Sequence, residues 1–313
     1  MLTVLGAALS IACLAALVLW AMRQEAPTLP SESGRLAELG AAVAFYLAGC
    51  ALRAERWYEL LRYNGAQPRR IDAYGLLAVG NAGNNILPAR AGDALRVVMI
   101  VPRAKTDPRT AIGTIVAERV LDVVVLVGLF VVLAYGVLGG LEMPSAGRLL
   151  FAALLVCGLL AALAVGAWVL HRHGHLRRVL TYLAPMAEAT KRLRSNHGLS
   201  LLGLTFAVWA LEWIAWWLTA RAAGLDLALL EVGYLMGLAS MFALVPSGPG
   251  YVGTFDAAVV LGVRALDFTG AQALSYVLAL RFVVSVPITL IGLVVLVAGY
   301  GGLHRMRALV RAT

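Results

Sequence analysis

The stretch Gly80–Arg96, which reads GNAGNNILPARAGDALR, interrupts an otherwise apolar part of the chain. It holds three asparagines, four Gly or Pro residues and three charged residues. A plain transmembrane helix does not tolerate this composition, because lipid offers no partner to polar groups or to backbone freed by Pro and Gly. The stretch is therefore either a polar loop between two spans or a broken segment that faces protein or water.

A second stretch, Met241–Asp256, favours the broken-segment interpretation. It reads MFALVPSGPGYVGTFD and again clusters Gly and Pro within an apolar part of the chain. The residues of the two stretches that we predict to bind substrate are Asn84, Asn85, Arg90, Asp93, Arg96, Ser247, Tyr251 and Asp256.

The overall composition is that of a polytopic, all-α membrane protein. Hydrophobic residues make up 61% of the 313 residues, charged residues 14%, and the mean hydropathy is +0.84. Soluble domains are nearer half apolar and a quarter charged. The net charge of +9 gathers at the ends of apolar runs, so it favours anionic lipid headgroups over nucleic acid as the partner.

We predict one integral membrane domain over residues 1–313, with about six full spans and two broken or re-entrant hairpins, or 8–10 membrane segments. A basic helix-loop fills 171–198. Arg53 and Arg56, among aromatic residues, indicate an interfacial helix, and the tryptophans around Glu212 indicate an aromatic belt. The spans lie at about 2–21, 36–52, 111–138, 149–170, 199–220 and 275–300.

Charged residues inside the spans are further candidates for the site. The third span carries Glu118, Arg119 and Asp122, each costing about 2.5–3.5 kcal/mol near mid-depth on insertion scales. The two acids share one helix face, which leaves pairing with arginines and a direct role in substrate binding equally open. Glu212 in the fifth span also requires a partner, and Arg281 lies near the start of the sixth.

The sequence offers no cofactor motif. It has no Walker loop, no CxxC and no HExxH. His171, His173 and His175 alternate by two residues and would not share a helix face, so they do not predict a metal site. We therefore expect neither a cofactor nor a metal.

The distribution of Lys and Arg places both termini in the cytoplasm under the positive-inside rule. With that orientation, the first broken stretch must enter and leave on the cytoplasmic side and the second on the outer side. We therefore predict an inverted repeat with halves of about 1–140 and 145–303 and a site near the midplane. One spacing recurs in both halves: Trp57, Arg62 and Gly65, then Trp216, Arg221 and Gly224.

The two stretches together resemble the transmembrane region of the lysylphosphatidylglycerol synthase/flippase family. The matching residues are Asn84, Leu87, Pro88, Arg90, Gly92, Asp93, Arg96, Glu118, Arg119 and Asp122, then Pro246, Ser247, Gly248, Pro249, Gly250, Gly253 and Asp256. The resemblance covers nearly the whole chain and implies lipid flipping. Synthases of this family continue into a soluble aminoacyl-transferase domain, whereas this sequence ends at Thr313, so we expect no lysyl-lipid synthesis by these residues alone.

We predict a flippase or transporter for an aminoacyl-phospholipid, a glycolipid or a polyprenyl-phosphate-linked lipid in the cell membrane. Arg90, Arg96, Arg119 and Arg281 would bind phosphate through the guanidinium fork, and the acids would balance them or bind a cationic headgroup or a proton. Two alternatives stay open: an integral-membrane enzyme acting on lipid phosphates, and a non-transporting partner of a lipid-modifying enzyme. Expected partners are membrane lipids, with oligomers of this chain as an open option.

Overall fold

A computed structural model describes residues 18–26, 30, 32–87, 91–138, 196–242 and 249–301. The predicted spans at 2–21 and 149–170 and the basic helix-loop 171–198 lie wholly or mostly outside these residues. Arg90, Ser247 and the three closely spaced histidines also lie outside them.

Within the described residues the protein is built from α-helices. A 3-10 turn lies at Pro249–Tyr251. The helices are α1 (Ser33–Tyr63), α2 (Arg70–Ile86), α3 (Ala91–Arg103), α4 (Pro108–Leu138), α5 (Asn196–Ala222), α6 (Leu229–Phe242), α7 (Thr254–Arg264) and α8 (Gly270–Tyr300).

The described helices follow the order long, short, short, long, and then repeat it. In the described residues α1, α5 and α8 are long and apolar enough to cross a membrane. The four helices of the broken stretches (α2, α3, α6 and α7) have only 11–17 residues. At 1.5 Å per residue the longest of them reaches about 26 Å, less than a hydrocarbon core of about 30 Å.

α1 corrects the prediction of a span that ends near residue 52 and is followed by an interfacial helix. The structure has one unbroken helix from Ser33 to Tyr63. No Gly or Pro lies between Arg53 and Tyr63, so nothing in the backbone ends the helix earlier. The chain turns only at Gly65, whose φ of 82° is readily adopted by glycine.

The glycines Gly80 and Gly83 lie inside α2 and do not break it, which corrects their interpretation as breakers. The interruption falls after Ile86. Both glycines instead allow α3 to approach closely, since a Cβ on Gly83 would lie 2.7 Å from Gly92 Cα. The GNAG sequence therefore serves a helix–helix contact.

α1 and α5 pack antiparallel along most of their length. Arg221 Nη2 lies 2.8 Å from Glu38 Oε1 near the start of α1, and Arg56 Nη1 lies 2.9 Å from Thr205 Oγ1 near its end. Residue numbers thus rise along one helix as they fall along the other. Around this pair α2 packs on α8 and α6 packs on α4.

The first turn of α4 is capped by Asp107. Its carboxylate accepts hydrogen bonds from the Thr110 hydroxyl at 2.6 Å and from the backbone N–H groups of Arg109 and Thr110. These bonds, the Thr110 hydroxyl first, lower the pKa of Asp107. The cap fixes where α4 begins and therefore the register of the charges that it carries.

Candidate functional site

A buried network of charges joins α1, α3 and α4. At its centre Arg56 donates to Asp122 Oδ1 at 2.8 Å and lies 3.8 Å from Glu118 Oε1. Arg56 is 1% exposed, although it is an arginine. Glu118 and Asp122 face the same arginine, which agrees with their predicted common face.

Arg96 forms the second pair of this network. Its Nη2 donates to Glu118 Oε2 at 2.8 Å, and its guanidinium lies 4.0 Å from the centre of the Trp57 ring. The indole N–H of Trp57 donates to Thr114 Oγ1 at 3.0 Å. Arg96 is therefore held by a carboxylate on one side and by an aromatic face on the other.

Arg119 stands at the edge of the network. Its Nη2 lies 3.5 Å from Asp93 Oδ2 and its Nη1 lies 3.7 Å from Asp122 Oδ2. Asp93 also accepts from Asn84 Nδ2 at 3.3 Å. The Arg119 side chain is 44% exposed, against 1% and 4% for Arg56 and Arg96.

A second group of charges lies at the other broken stretch. Arg281 Nε donates to Asp256 Oδ1 at 2.6 Å, and its two terminal nitrogens donate to the carbonyl oxygens of Gly250 and Tyr251. Asp256 in turn accepts from the Gly253 N–H at 2.9 Å, which caps α7. Tyr251 has a φ of 56°, so this arginine holds a turn in a sparsely populated conformation.

The two broken stretches meet. A Cβ on Gly250 would lie 3.4 Å from the carbonyl oxygen of Asn85. The Asn85 amide donates to Thr289 Oγ1 of α8 at 2.8 Å. A pocket of about 400 Å³ opens at this contact, lined by Asn85, Gly250, Val252, Leu278, Arg281, Phe282, Ser285 and Val286.

Glu212 pairs with Arg53 and does not line that pocket. Two of the tryptophans near it are core residues, with Trp209 at 8% and Trp216 at 3% exposure. Trp216 makes edge-to-face contacts with Phe255 and Tyr276. The predicted aromatic belt is therefore wrong for these two residues, because they pack between helices.

Sequence reasoning missed several residues of the network. The sequence predicts an interfacial position for Arg56 and assigns no role to Thr114 or Thr205. One signal was present: Arg53 and Arg56 lie three apart on α1, so they face the same side. Nothing in the sequence says which acids they meet, since Arg56 is 66 positions from Asp122.

The charges of the first network balance. Three arginines (Arg56, Arg96, Arg119) face three acids (Asp93, Glu118, Asp122). A buried ion pair is tolerated only when it is matched, because each lone charge has a large desolvation cost. Of these arginines only Arg119 is open enough to exchange an acid for an anionic ligand.

Replacement of Gly92 by alanine is expected to separate α2 from α3. The new Cβ would clash with the Gly80 carbonyl oxygen and lie 2.5 Å from Asn84 N. We expect the free energy of unfolding to fall by at least about 2 kcal/mol, as for other overpacked contacts. Thermal unfolding of the purified protein in detergent measures this.

Gly203→Ala is the matched control, since no described atom lies within 4 Å of a Cβ at Gly203. That helix-interior change should be neutral or stabilise the protein by roughly 0.5–1 kcal/mol. Equal melting temperatures for Gly92→Ala and the wild type would contradict the close approach of α2 and α3.

Apolar helices of membrane-spanning length, broken stretches and buried ion pairs define a helical membrane protein. The family model described as lysylphosphatidylglycerol synthase TM region matches residues 4–292. The chain therefore belongs to that family, and the predicted resemblance is confirmed.

Three curated relatives are similar to this chain. Glycosyltransferase AglD of Haloferax volcanii is 26% identical over 279 residues, which span 76% of this chain but only 45% of that protein. A UPF0104 membrane protein of Methanothermobacter thermautotrophicus is 23% identical over 67% of this chain and 70% of its own length. Another, from Methanocaldococcus jannaschii, is 23% identical over 61% of this chain and 83% of its own. No solved structure gives a significant match.

Proposed function

We propose that the protein is a lipid flippase that moves a lipid with a polar, phosphate-bearing headgroup between leaflets. The observation that carries the proposal is the contact of the two broken stretches at Asn85 and Gly250, beside a pocket that contains Arg281. An arginine in a mostly apolar pocket can bind phosphate through its fork while the lipid tails stay in the bilayer.

The helix order supports an inverted repeat of two halves, α1–α4 and α5–α8. Each half has a long helix, two short ones and a long one. Asp93 and Asp256 are the third residues of α3 and α7, and Arg119 and Arg281 are the twelfth residues of α4 and α8. Each of these acids pairs with the arginine of its own half.

The antiparallel contact of α1 with α5 supports the inversion. Among the described helices these are the first of each half, so equivalent elements run in opposite directions. Arg53 and Glu212 pair where they cross, and they lie 159 positions apart, as Trp57 and Trp216 do. We infer that each short-helix pair is a re-entrant hairpin and that the hairpins enter from opposite faces of the cell membrane, with both termini cytoplasmic.

The two equivalent ion pairs differ in a way that suits alternating access. Asp93 and Arg119 are 3.5 Å apart with Arg119 half-exposed, whereas Asp256 and Arg281 are 2.6 Å apart and Arg281 also binds two carbonyl oxygens. We propose that the headgroup phosphate displaces Asp93 from Arg119 at one face. Arg281 would then receive it as the second hairpin opens.

Arg119→Ala is expected to lower flipping by about tenfold or more, because a charged hydrogen bond to the headgroup is lost. The assay is the movement of fluorescent phospholipids in proteoliposomes, read by dithionite quenching. Arg90→Ala, which removes the other predicted phosphate ligand of the first stretch, should act in the same direction.

Arg109→Ala is the control, because Arg109 is an exposed arginine of the same helix. It should flip lipid at the wild-type rate. Folded Arg119→Ala and Arg90→Ala proteins with unchanged rates would exclude these arginines from the path of the headgroup.

The cargo that we favour bears a phosphate and a sugar or an amino acid: an aminoacyl-phospholipid, a glycolipid or a polyprenyl-phosphate-linked sugar. The name of the relative from Haloferax volcanii, a glycosyltransferase, supports a sugar-bearing lipid. The same name favours a second candidate function, in which the chain is the membrane partner of a lipid-modifying enzyme. Lipid flipping by the purified chain alone would support the flippase, whereas a membrane partner of an enzyme would not flip lipid by itself.

A further inference from the structure

A groove of about 700 Å³ runs between α1, α2 and α8 and shares no lining residue with the pocket beside Arg281. Most of its length is apolar. Its middle is formed by Leu47, Ala51, Leu77, Ile288, Ile291 and Val294. The volume lies within the range of about 300–1,000 Å³ that is usual for small-molecule sites.

One end of the groove is polar and positively charged. Arg69, Asp72, Tyr74 and Tyr300 line it there. Asp72 is already engaged, since it accepts from the Tyr300 hydroxyl at 3.4 Å and lies 3.9 Å from Arg103 Nε.

Arg69 is the arginine at this end whose charge is not balanced by an ion pair among the described residues. The adjacent Arg70 pairs with Glu55 at 3.0 Å, and the hydroxyl of Tyr74 donates to the same Glu55. Arg69 is exposed, and among the described residues no acid forms an ion pair with it. The mouth of the groove therefore presents an uncompensated cation.

The aromatic residues show the level of this end in the membrane. Arg70 lies over the Tyr58 ring at 5.1 Å and Arg103 over the Tyr300 ring at 4.6 Å. Tyrosines with arginines are typical of the headgroup level of a bilayer. A cation at this level would meet lipid phosphates, and the apolar groove would run from it along the acyl chains.

We propose that this groove binds an anionic phospholipid, with one acyl chain along α1, α2 and α8 and its phosphate at Arg69. A trough that is apolar along its length and cationic at one end matches the shape and charge of such a lipid. A zwitterionic lipid fits the trough equally well but gains less at Arg69, because its headgroup carries no net charge. The site is separate from the proposed transport pocket, and its occupancy does not depend on flipping.

The test is lipid binding to the purified, detergent-solubilised chain by native mass spectrometry. Phosphatidylglycerol and phosphatidylcholine with the same acyl chains are the probes. We expect the wild type to prefer phosphatidylglycerol. We expect Arg69→Ala to lower the affinity of the protein for phosphatidylglycerol by about fivefold, the effect of one interfacial cation. Arg264→Ala, an exposed arginine in the other half, should leave the affinity unchanged.

Two further variants probe the groove itself. Ala298 and Ile291 are exposed groove residues, so a tryptophan at either position fills the trough without entering the core. Ala298→Trp should abolish the preferential binding, and Ile291→Trp replaces it if the first variant does not fold. Equal binding of the two lipids by the wild type, or a preference that survives both Arg69→Ala and the tryptophan, would overturn the proposal. Either result leaves the flippase proposal unaffected, because no transport is measured.

Discussion

Arg56→Ala is expected to lower the free energy of unfolding by about 3–5 kcal/mol, because it leaves Asp122 and Glu118 buried without their shared cation. Asp122, which is only 7% exposed, would lose its 2.8 Å hydrogen bond from Arg56. Thermal unfolding in detergent should show a melting temperature lower by on the order of 10 °C. Size-exclusion profiles should show less monodisperse protein.

Arg62→Ala is the matched control for this prediction. Arg62 lies on the same helix, but its side chain is 56% exposed and its pair with Glu59 is a surface pair at 3.7 Å. Such pairs contribute about 0–1 kcal/mol. The double variant Arg56→Leu with Asp122→Leu should regain most of the lost stability, since a matched apolar pair replaces the charges. If Arg56→Ala has the same melting temperature as the wild type, Arg56 is not the centre of a buried network.

The amino-acid pattern sufficed for the features that depend on local chemistry. Apolar runs of about 20 residues predict membrane helices, and three of the helices in the described residues meet that standard. Glu118 and Asp122 lie four residues apart, and helical geometry alone places both on one face. The two broken stretches could be found in the same way, because Gly and Pro clusters are rare inside spans.

Features that depend on a partner helix could not be found from the sequence. Arg56 has the same neighbours in sequence as an interfacial arginine, and only the approach of α4 and α5 buries it. Gly80 and Gly83 illustrate the same limit. Glycine both breaks helices and permits close contacts between them, and here the close approach of Gly92 decides for contact.

The equivalent aspartate–arginine pairs contain residues that the sequence analysis singled out, and the structure shows each aspartate next to an arginine of its own half. Asp93 and Asp256 occupy the first turns of short helices, where a carboxylate is stabilised by the helix dipole. Each carboxylate also forms an ion pair with the guanidinium that we propose as a phosphate ligand. In the proposed mechanism the acid would act as an internal substitute for the headgroup, and its removal should strengthen the binding of an anion.

Arg281→Ala is expected to lower flipping by at least about tenfold, because among the described residues Arg281 is the one cation that lines the pocket between the broken stretches. Arg281→Lys should recover only part of the rate, since an ammonium cannot bridge Asp256 and two carbonyl oxygens as the fork does. Fluorescent lipid flipping in proteoliposomes at several lipid concentrations measures both variants. Arg264→Ala, exposed in the same half, should match the wild type.

Asp256→Asn separates a headgroup ligand from a purely structural arginine. The asparagine oxygen can still accept from the Gly253 N–H, which Asp256 holds at 2.9 Å, so the start of α7 is kept. The charge of Arg281 is then released, and we expect half-saturation at a severalfold lower concentration of an anionic lipid, with no change for a zwitterionic one. A structural arginine predicts the same concentration dependence for both lipids. Wild-type flipping by a folded Arg281→Lys protein, together with an unchanged response of Asp256→Asn, would contradict a phosphate at Arg281.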